Sequence, residues 1–141
     1  VWKLYYELQI PMMIRYKEVF GDIESFHIFG ICVLNEHLHA KKVTEHDMHR
    51  DEFLNSFFSS ENSQGINAMS ISDITGIPRA TVIRKLKKLV KQKKLRIDIK
   101  KHYKLTMSFA KILKPIQRNT LVKLANFSAK VYNLELIERK D

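Results

Sequence analysis

Apolar residues recur mostly at helical spacing through the first half of the chain, which predicts a mainly α-helical protein. Residues 2 to 20 form one such stretch. A second stretch runs to about His39, and its apolar positions lie nearly all round the helix, which predicts burial on several sides. Thr44 and Asp47 resemble a capping box, which predicts a helix to about residue 59 and then a polar surface loop, SSENSQG.

A pair of helices joined by a tight turn is predicted next. Ser70 is a candidate N-cap for a short helix, and Gly76 offers the left-handed conformation that a helix end often needs. Pro78 suits the first turn of the following helix, which should end near Lys94. The predicted inward stripe of this second helix consists of Val82, Leu86 and Leu89.

Alternating apolar residues then predict a short β-hairpin. Leu95, Ile97 and Ile99 alternate in the first strand, residues 100 to 102 form a tight connection, and residues 103 to 106 form the second strand. A final helix is predicted over residues 108 to 137. Its predicted inward positions include Ile112, Ile116, Leu124 and Val131.

Charge is distributed unevenly, although the formal net charge is +10. Residues 1 to 69 hold 6 Lys and Arg against 10 Asp and Glu, whereas residues 70 to 141 hold 19 against 5. The stretch from Arg79 to Lys104 holds 12 basic residues and a single acidic one, Asp98. A polyphosphate backbone is the commonest partner of such a surface, because each Lys or Arg can neutralise a phosphate. An anionic membrane surface and a merely solubilising face are the alternatives.

Other chemistry has little support in the sequence. The single cysteine, Cys32, lies in an apolar run and is expected to be a buried thiol. The spacings of His37, His39, His46 and His49 match no metal site, so we expect no metal ion. No phosphate loop or nucleophile elbow is present, and we expect neither an enzyme nor a cofactor. The longest apolar run is too short to span a membrane and no leader is visible, which predicts a soluble cytoplasmic protein.

Residues 70 to 106 combine a helix, a turn with glycine and an apolar plug, a second helix and a basic hairpin. This is the order of a winged helix-turn-helix. A second helix held rigidly across the first can place its N-terminal half in a major groove, which is wide enough for one helix. The residues expected to hold the two helices together are Ile71, Ile74, Ile77, Val82 and Leu86.

The segment SISDITGIPRATVIRKLKKLVKQKKL resembles the helix-turn-helix of winged-helix transcription regulators of the multiple-antibiotic-resistance repressor (MarR) and IclR kinds. The matching residues are Ile71, Ile74, Gly76, Ile77, Pro78, Thr81, Val82, Arg84 and Leu86. The likeness covers residues 70 to 106 and departs in two places: Ser72 stands where alanine is usual, and the wing lacks the customary Gly or Asp-Gly turn. Elsewhere the likeness to MarR-type proteins is architectural, since their outer helices build a dimer.

The resemblance implies a sequence-specific transcription regulator that binds double-stranded DNA, with residues 78 to 94 as the recognition helix in the major groove. The wing, residues 95 to 106, would then lie on the DNA backbone. Bases would be approached by Pro78, Arg79, Ala80, Ile83 and Arg84, of which the two arginines can pair with guanine. Phosphates would be held by Thr81, Lys85, Lys87, Lys88, Arg96, Lys100, Lys101, His102 and Lys104.

Three segments are predicted on this basis. Residues 1 to 43 supply N-terminal helices for dimerisation or a ligand pocket, residues 44 to 106 the winged helix-turn-helix, and residues 107 to 141 a C-terminal dimerisation helix. The expected assembly is a homodimer, and no small-molecule inducer is specified. The alternatives are a winged-helix module that contacts proteins in a larger assembly, and a basic peripheral membrane protein.

Overall fold

A computed structural model of the protein describes residues 1 to 39 and 65 to 139. These residues form five helices and two strands. The elements are α1 (Trp2–Phe20), α2 (Ile23–His39), α3 (Ala68–Thr75), α4 (Arg79–Lys91), β1 (Leu95–Ile97), β2 (Tyr103–Leu105) and α5 (Met107–Glu138). The expected mainly α-helical fold is confirmed, and it includes a small two-stranded antiparallel sheet. The predicted helix at residues 44 to 59 lies outside the described residues.

The long helices follow the hydrophobic pattern closely. Helices α1, α2 and α5 begin and end within one or two residues of their predicted limits. Both long terminal helices contain a proline, Pro11 in α1 and Pro115 in α5, and each helix continues through it. None of the helices in the described ranges combines the length and the hydropathy of a membrane span.

The chain divides into two compact units. The terminal unit consists of Val1–Ile23 and Ile112–Asp141, and the central unit is Glu24–Lys111. These limits differ from the predicted segment boundaries at residues 43 and 106, because nearly all of α2 belongs to the same unit as α3, α4 and the hairpin.

The core of the central unit receives side chains from each of its elements. Its Phe29 ring, on α2, meets the ring of Phe109 edge-on, with centroids 5.4 Å apart. Cys32, three residues after Phe29 in α2, is buried as expected. The predicted inward stripe of α4 is confirmed as well. Among the described residues, the buried apolar side chains of the unit are those of Ile28, Phe29, Cys32, Ile66, Ile71, Ile77, Val82, Leu86, Leu89, Leu95, Tyr103, Leu105, Phe109 and Ala110.

The terminal unit leaves many apolar side chains exposed. Within it, the hydroxyl groups of Tyr16 and Thr120 lie 3.2 Å apart and connect α1 to α5. The predictions that Ile112 and Leu124 point inward are wrong for the single chain, because both side chains are exposed. The exposed large apolar residues of this unit are Val1, Trp2, Tyr6, Ile10, Met13, Ile14, Ile23, Ile112, Leu121, Val122, Leu124, Tyr132 and Ile137.

Candidate nucleic-acid interface

Helix α3 begins earlier than the sequence pattern predicts. Its N-cap is Asn67, whose side-chain oxygen accepts a hydrogen bond of 2.9 Å from the N–H of Ser70. The prediction of Ser70 as the N-cap is therefore wrong, since Ser70 occupies the third helical position. At the other end Gly76 is left-handed, with φ +73°, and its N–H donates to the carbonyl of Ser72. This is the helix end that the glycine predicts.

The turn between α3 and α4 is held by both backbone groups of Ile77. The Ser72 hydroxyl donates to the Ile77 carbonyl over 2.7 Å, and the Ile77 N–H donates to the Thr75 hydroxyl over 3.2 Å. The Ile77 side chain is buried, as a plug beneath the turn should be. Serine at position 72, where the resembled regulators usually have alanine, thus contributes a hydrogen bond that fixes the turn.

Fewer apolar residues are buried between the two helices than the sequence predicts. Ile71 on α3 is fully buried, as are Val82 and Leu86 on α4. Ile74 is 61% exposed, so the prediction that it holds the helices together is wrong. Ile71 is the one buried residue of this short helix, and Ile74, three positions later, lies outside the buried face.

The N-terminal half of α4 presents most of its predicted base-contacting residues to solvent. The helix begins at Arg79, with Pro78 as its N-cap residue. Pro78, Arg79, Ala80 and Arg84 are exposed, and Ile83 is half-buried, as is Thr81 of the predicted phosphate set. Helix α4 ends at Lys91, three residues before the predicted limit.

Lys85 is placed differently from the other basic residues of α4. It is only 8% exposed, and its Nζ lies 3.8 Å from Oε1 of Glu24 on α2. Its position three residues after the buried Val82 and four before the buried Leu89 sets it on the inner edge of the helix. The ammonium group therefore serves an ion pair within the central unit and is not presented at the surface.

The hairpin is anchored to the chain that precedes α3. Strands β1 and β2 pair antiparallel with Ile97 opposite Tyr103. On the other edge of β2, the N–H of Tyr103 donates to the carbonyl of Ile66 over 2.9 Å, which forms an isolated antiparallel bridge. Gly65 permits this approach, because a Cβ there would lie 2.6 Å from the Cβ of His102. A single residue before α3, Ile66, thus pairs with the outer edge of β2 beside the two strands of the sheet.

The hairpin connection runs from Asp98 to His102 and begins two residues before the predicted one at residues 100 to 102. The Asp98 carbonyl accepts a hydrogen bond of 3.0 Å from the N–H of Lys101. The Asp98 carboxylate accepts one of 2.9 Å from the N–H of His102. The second bond, together with the charges of His102 and Lys104, lowers the pKa of Asp98. Lys104 also lies 3.7 Å from the Asp98 carboxylate. Lys101 has a positive φ of +59°, a left-handed conformation that glycine usually adopts in such turns.

A second lysine with positive φ follows the end of α4. Lys93 has φ +58°, its N–H donates to the carbonyl of Val90, and the N–H of Lys94 donates to the carbonyl of Leu89. These two bonds form a Schellman motif in which lysine replaces the usual glycine. The Lys94 ammonium lies 5.6 Å from the centre of the Phe109 ring, and burial lowers its pKa.

The exposed positive charge of the central unit lies on α4, on the turn after it and on the hairpin. Sequence reasoning did not single out Lys91 and Lys93, although the run KQKK was an available signal. Of the predicted phosphate-contacting residues, His102 and Lys104 are half-buried. The exposed basic residues of this region are Arg79, Arg84, Lys87, Lys88, Lys91, Lys93, Arg96, Lys100 and Lys101.

A buried carboxyl group, which sequence reasoning missed, joins α2 to the hairpin. Glu36 is 1% exposed and its Oε1 accepts a hydrogen bond from the N–H of Leu105 in β2. Burial raises the pKa of Glu36 to about 7, although this hydrogen bond and the charges of Arg96 and Lys104 act in the opposite direction. Burial, with the Glu36 charge as a smaller cause, likewise raises the pKa of Cys32 to about 12.

Metal-binding side chains do not cluster in the part of the chain that is described, where no group of three or more His, Cys, Asp or Glu could hold an ion. Most of the histidine-rich segment at residues 37 to 49 lies outside that part. No protein-family model matches the chain, and neither a curated protein nor a solved structure matches it. The residues themselves therefore carry the functional argument.

Proposed function

We propose that this protein is a sequence-specific DNA-binding transcription regulator and that its central unit is a winged helix-turn-helix domain. The observation that carries the proposal is the order of α3, the tight turn, α4 and a basic hairpin, combined with the bridge from Ile66 to Tyr103. That bridge adds a strand position before α3 to the outer edge of the hairpin. A hairpin tied in this way has a defined direction relative to α3 and α4, which a wing requires.

In the proposed complex, α4 enters the major groove with its N-terminal half. Arg79 and Arg84 are exposed there, and a guanidinium group can donate two hydrogen bonds to O6 and N7 of guanine. Pro78, Ala80 and the partly exposed Ile83 offer apolar contacts to base edges, such as the methyl group of thymine. The arginines therefore carry most of the base discrimination.

The phosphates are held by part of the exposed basic surface, on α4 and on the wing. Lys87, Lys88, Arg96, Lys100 and Lys101 keep this proposed role, with Thr81, His102 and Lys104 at the partly buried margin of the surface. Lys85 is left out because it is paired with Glu24.

A second copy of the chain is the proposed partner of the terminal unit. Several of its apolar side chains on α1 and α5 are more than half exposed, among them Trp2, Tyr6, Leu121 and Tyr132. Exposed apolar surface of this extent is typical of an interface. A dimer bound to two half-sites one helical turn apart would place its two α4 helices roughly 34 Å apart, and the site would contain two inverted half-sites.

Selection of bound duplexes from a random pool, with the purified chain, tests this function. We expect recovered sites to share a short inverted repeat, and we expect the logarithm of affinity to fall with the logarithm of salt concentration at a slope of about −5 to −9. Unenriched sequences and a flat salt dependence would contradict the proposal. Tight binding to anionic vesicles without duplex binding would favour a membrane-surface role instead.

A further inference from the structure

The tip of the hairpin presents an apolar side chain within a basic surface. Ile99 is 103% exposed, the highest value among the exposed large apolar residues of the described chain. It is followed directly by Lys100 and Lys101, both exposed, and it lies one residue after the Asp98 that organises the turn. Turn positions usually carry proline or a small polar residue, so a β-branched apolar residue here is unexpected.

The turn holds this tip in one conformation. The Asp98 carbonyl and carboxylate accept from the N–H groups of Lys101 and His102, and the Asp98 N–H donates to the His102 carbonyl over 3.0 Å. The ion pair with Lys104 fixes the same carboxylate from the side of β2. A rigid tip loses little conformational entropy when it enters a binding site, which favours use of its apolar side chain as a contact.

We infer that Ile99 is an apolar wedge that enters the minor groove, partly unstacks one base step and bends the DNA. This inference rests on the proposed function, in which α4 lies in the major groove and the wing lies on the DNA backbone that borders the neighbouring minor groove. Proteins that bend DNA insert isoleucine and similar side chains between bases, and the kinks they produce are about 20 to 90°. The flanking lysines neutralise phosphates that border the minor groove at this step.

The proposed wedge also predicts a preference for certain DNA sequences at the bound site. Pyrimidine–purine steps such as TA and CA are the easiest to unstack, so they lower the deformation energy of the complex. The proposed regulator should therefore prefer a flexible step at the position under the wing tip, even though Ile99 forms no hydrogen bond with a base. This preference would add to the one exerted by Arg79 and Arg84.

Bending of a selected duplex tests the inference, with dyes at the two ends and 2-aminopurine at the flexible step under the wing. The native protein should shorten the dye-to-dye distance and raise 2-aminopurine fluorescence, since the base becomes unstacked. Ile99→Ala should lose most of both signals and about tenfold in affinity, with an unchanged salt slope. Ile74→Ala is the matched control, because Ile74 is also exposed but lies on α3.

The outcomes separate the inference from the function on which it rests. If Ile99→Ala binds and bends the duplex as the native protein does, the wedge is wrong while DNA binding stands. If the native protein binds no duplex, the proposed function itself fails. Loss of anionic-vesicle binding by Ile99→Ala, with duplex binding intact, would assign the tip to a lipid surface. Unchanged thermal unfolding of Ile99→Ala verifies that the fold is retained.

Discussion

Two kinds of exposed basic side chain are distinguished by their positions in the central unit. Arg79 and Arg84 lie on the N-terminal half of α4, whereas Lys88 lies near its C-terminal end and Lys101 in the hairpin turn. Residues that approach bases affect discrimination between sequences, while residues that hold phosphates affect all duplexes alike. The proposed interface therefore predicts different consequences for the two sets.

Arg79→Ala or Arg84→Ala should weaken binding to the selected site by about 1–3 kcal/mol, because each removes contacts to one base per half-site. Lys88→Ala should weaken all duplexes about equally and make the salt slope shallower by roughly one unit per contact. Competition titrations with selected and unrelated duplexes measure both effects. Arginine variants that keep the full ratio of specific to non-specific affinity would show that α4 does not read bases.

The positive φ of Lys101 predicts opposite effects of one substitution on stability and on binding. Lys101→Gly should raise the free energy of unfolding by about 1 kcal/mol, because glycine adopts the left-handed conformation without the Cβ penalty. It should also weaken duplex binding, since a phosphate contact is lost. Denaturant unfolding and duplex titration measure the two quantities.

Lys93→Gly is the matched control, because Lys93 has nearly the same φ but was not assigned a phosphate. It should give the same gain in stability with a smaller loss in affinity. A Lys101→Gly protein that is less stable than the native one would contradict the conformation of the turn. Equal affinity losses in both variants would contradict the assignment of the phosphate contact.

At the scale of elements, Glu36 links α2 to β2 through a buried carboxyl group. Since burial raises its pKa from 4.5 to about 7, the folded protein binds this proton more tightly than the unfolded chain does. The resulting stabilisation is fully present below about pH 4.5 and is lost as the pH rises through about 7. The free energy of unfolding should therefore fall by about 2–3 kcal/mol over this interval because of Glu36.

Glu36→Gln tests this dependence, because the amide oxygen can still accept from the Leu105 N–H but the side chain has no charge. Above about pH 7 we expect the variant to be more stable than the native protein, and its stability to vary less with pH. Glu24→Gln, at the exposed carboxylate paired with Lys85, should leave the pH profile nearly unchanged. Parallel pH profiles for the native protein and Glu36→Gln would show that Glu36 does not titrate in this interval.

The elements were predictable to different degrees. Helices α1, α2 and α5 follow from apolar spacing, and the end of α3 follows from Gly76, because both signals are local. The start of α3 was misplaced, since Asn67 competes with Ser70 for the same capping role. The shifted hairpin turn has a similar cause: the side chain of Asp98 closes it without a glycine.

At the scale of the whole molecule, the exposed apolar residues of the terminal unit predict a homodimer. Leu121→Glu should convert the dimer to monomer, because it introduces charge into the proposed interface on α5. Ile74→Glu should leave the dimer intact, since Ile74 is equally exposed but lies in the central unit. Light scattering at micromolar concentration distinguishes the two states. A native protein that is monomeric with and without DNA would rule out the dimer.

The sequence by itself determined the features that depend on neighbours along the chain: the helical majority, the Gly76 turn, the inward stripe of α4 and the concentration of charge after residue 70. Only the tertiary structure decided which basic and apolar side chains are available at the surface. Lys85 was removed from the candidate interface by its ion pair with Glu24, 61 positions away in the chain. The burial of Glu36 and the bridge from Ile66 to Tyr103 likewise join residues far apart in sequence. Local periodicity carries no information about such pairs, because their energies arise only when the chain brings them together.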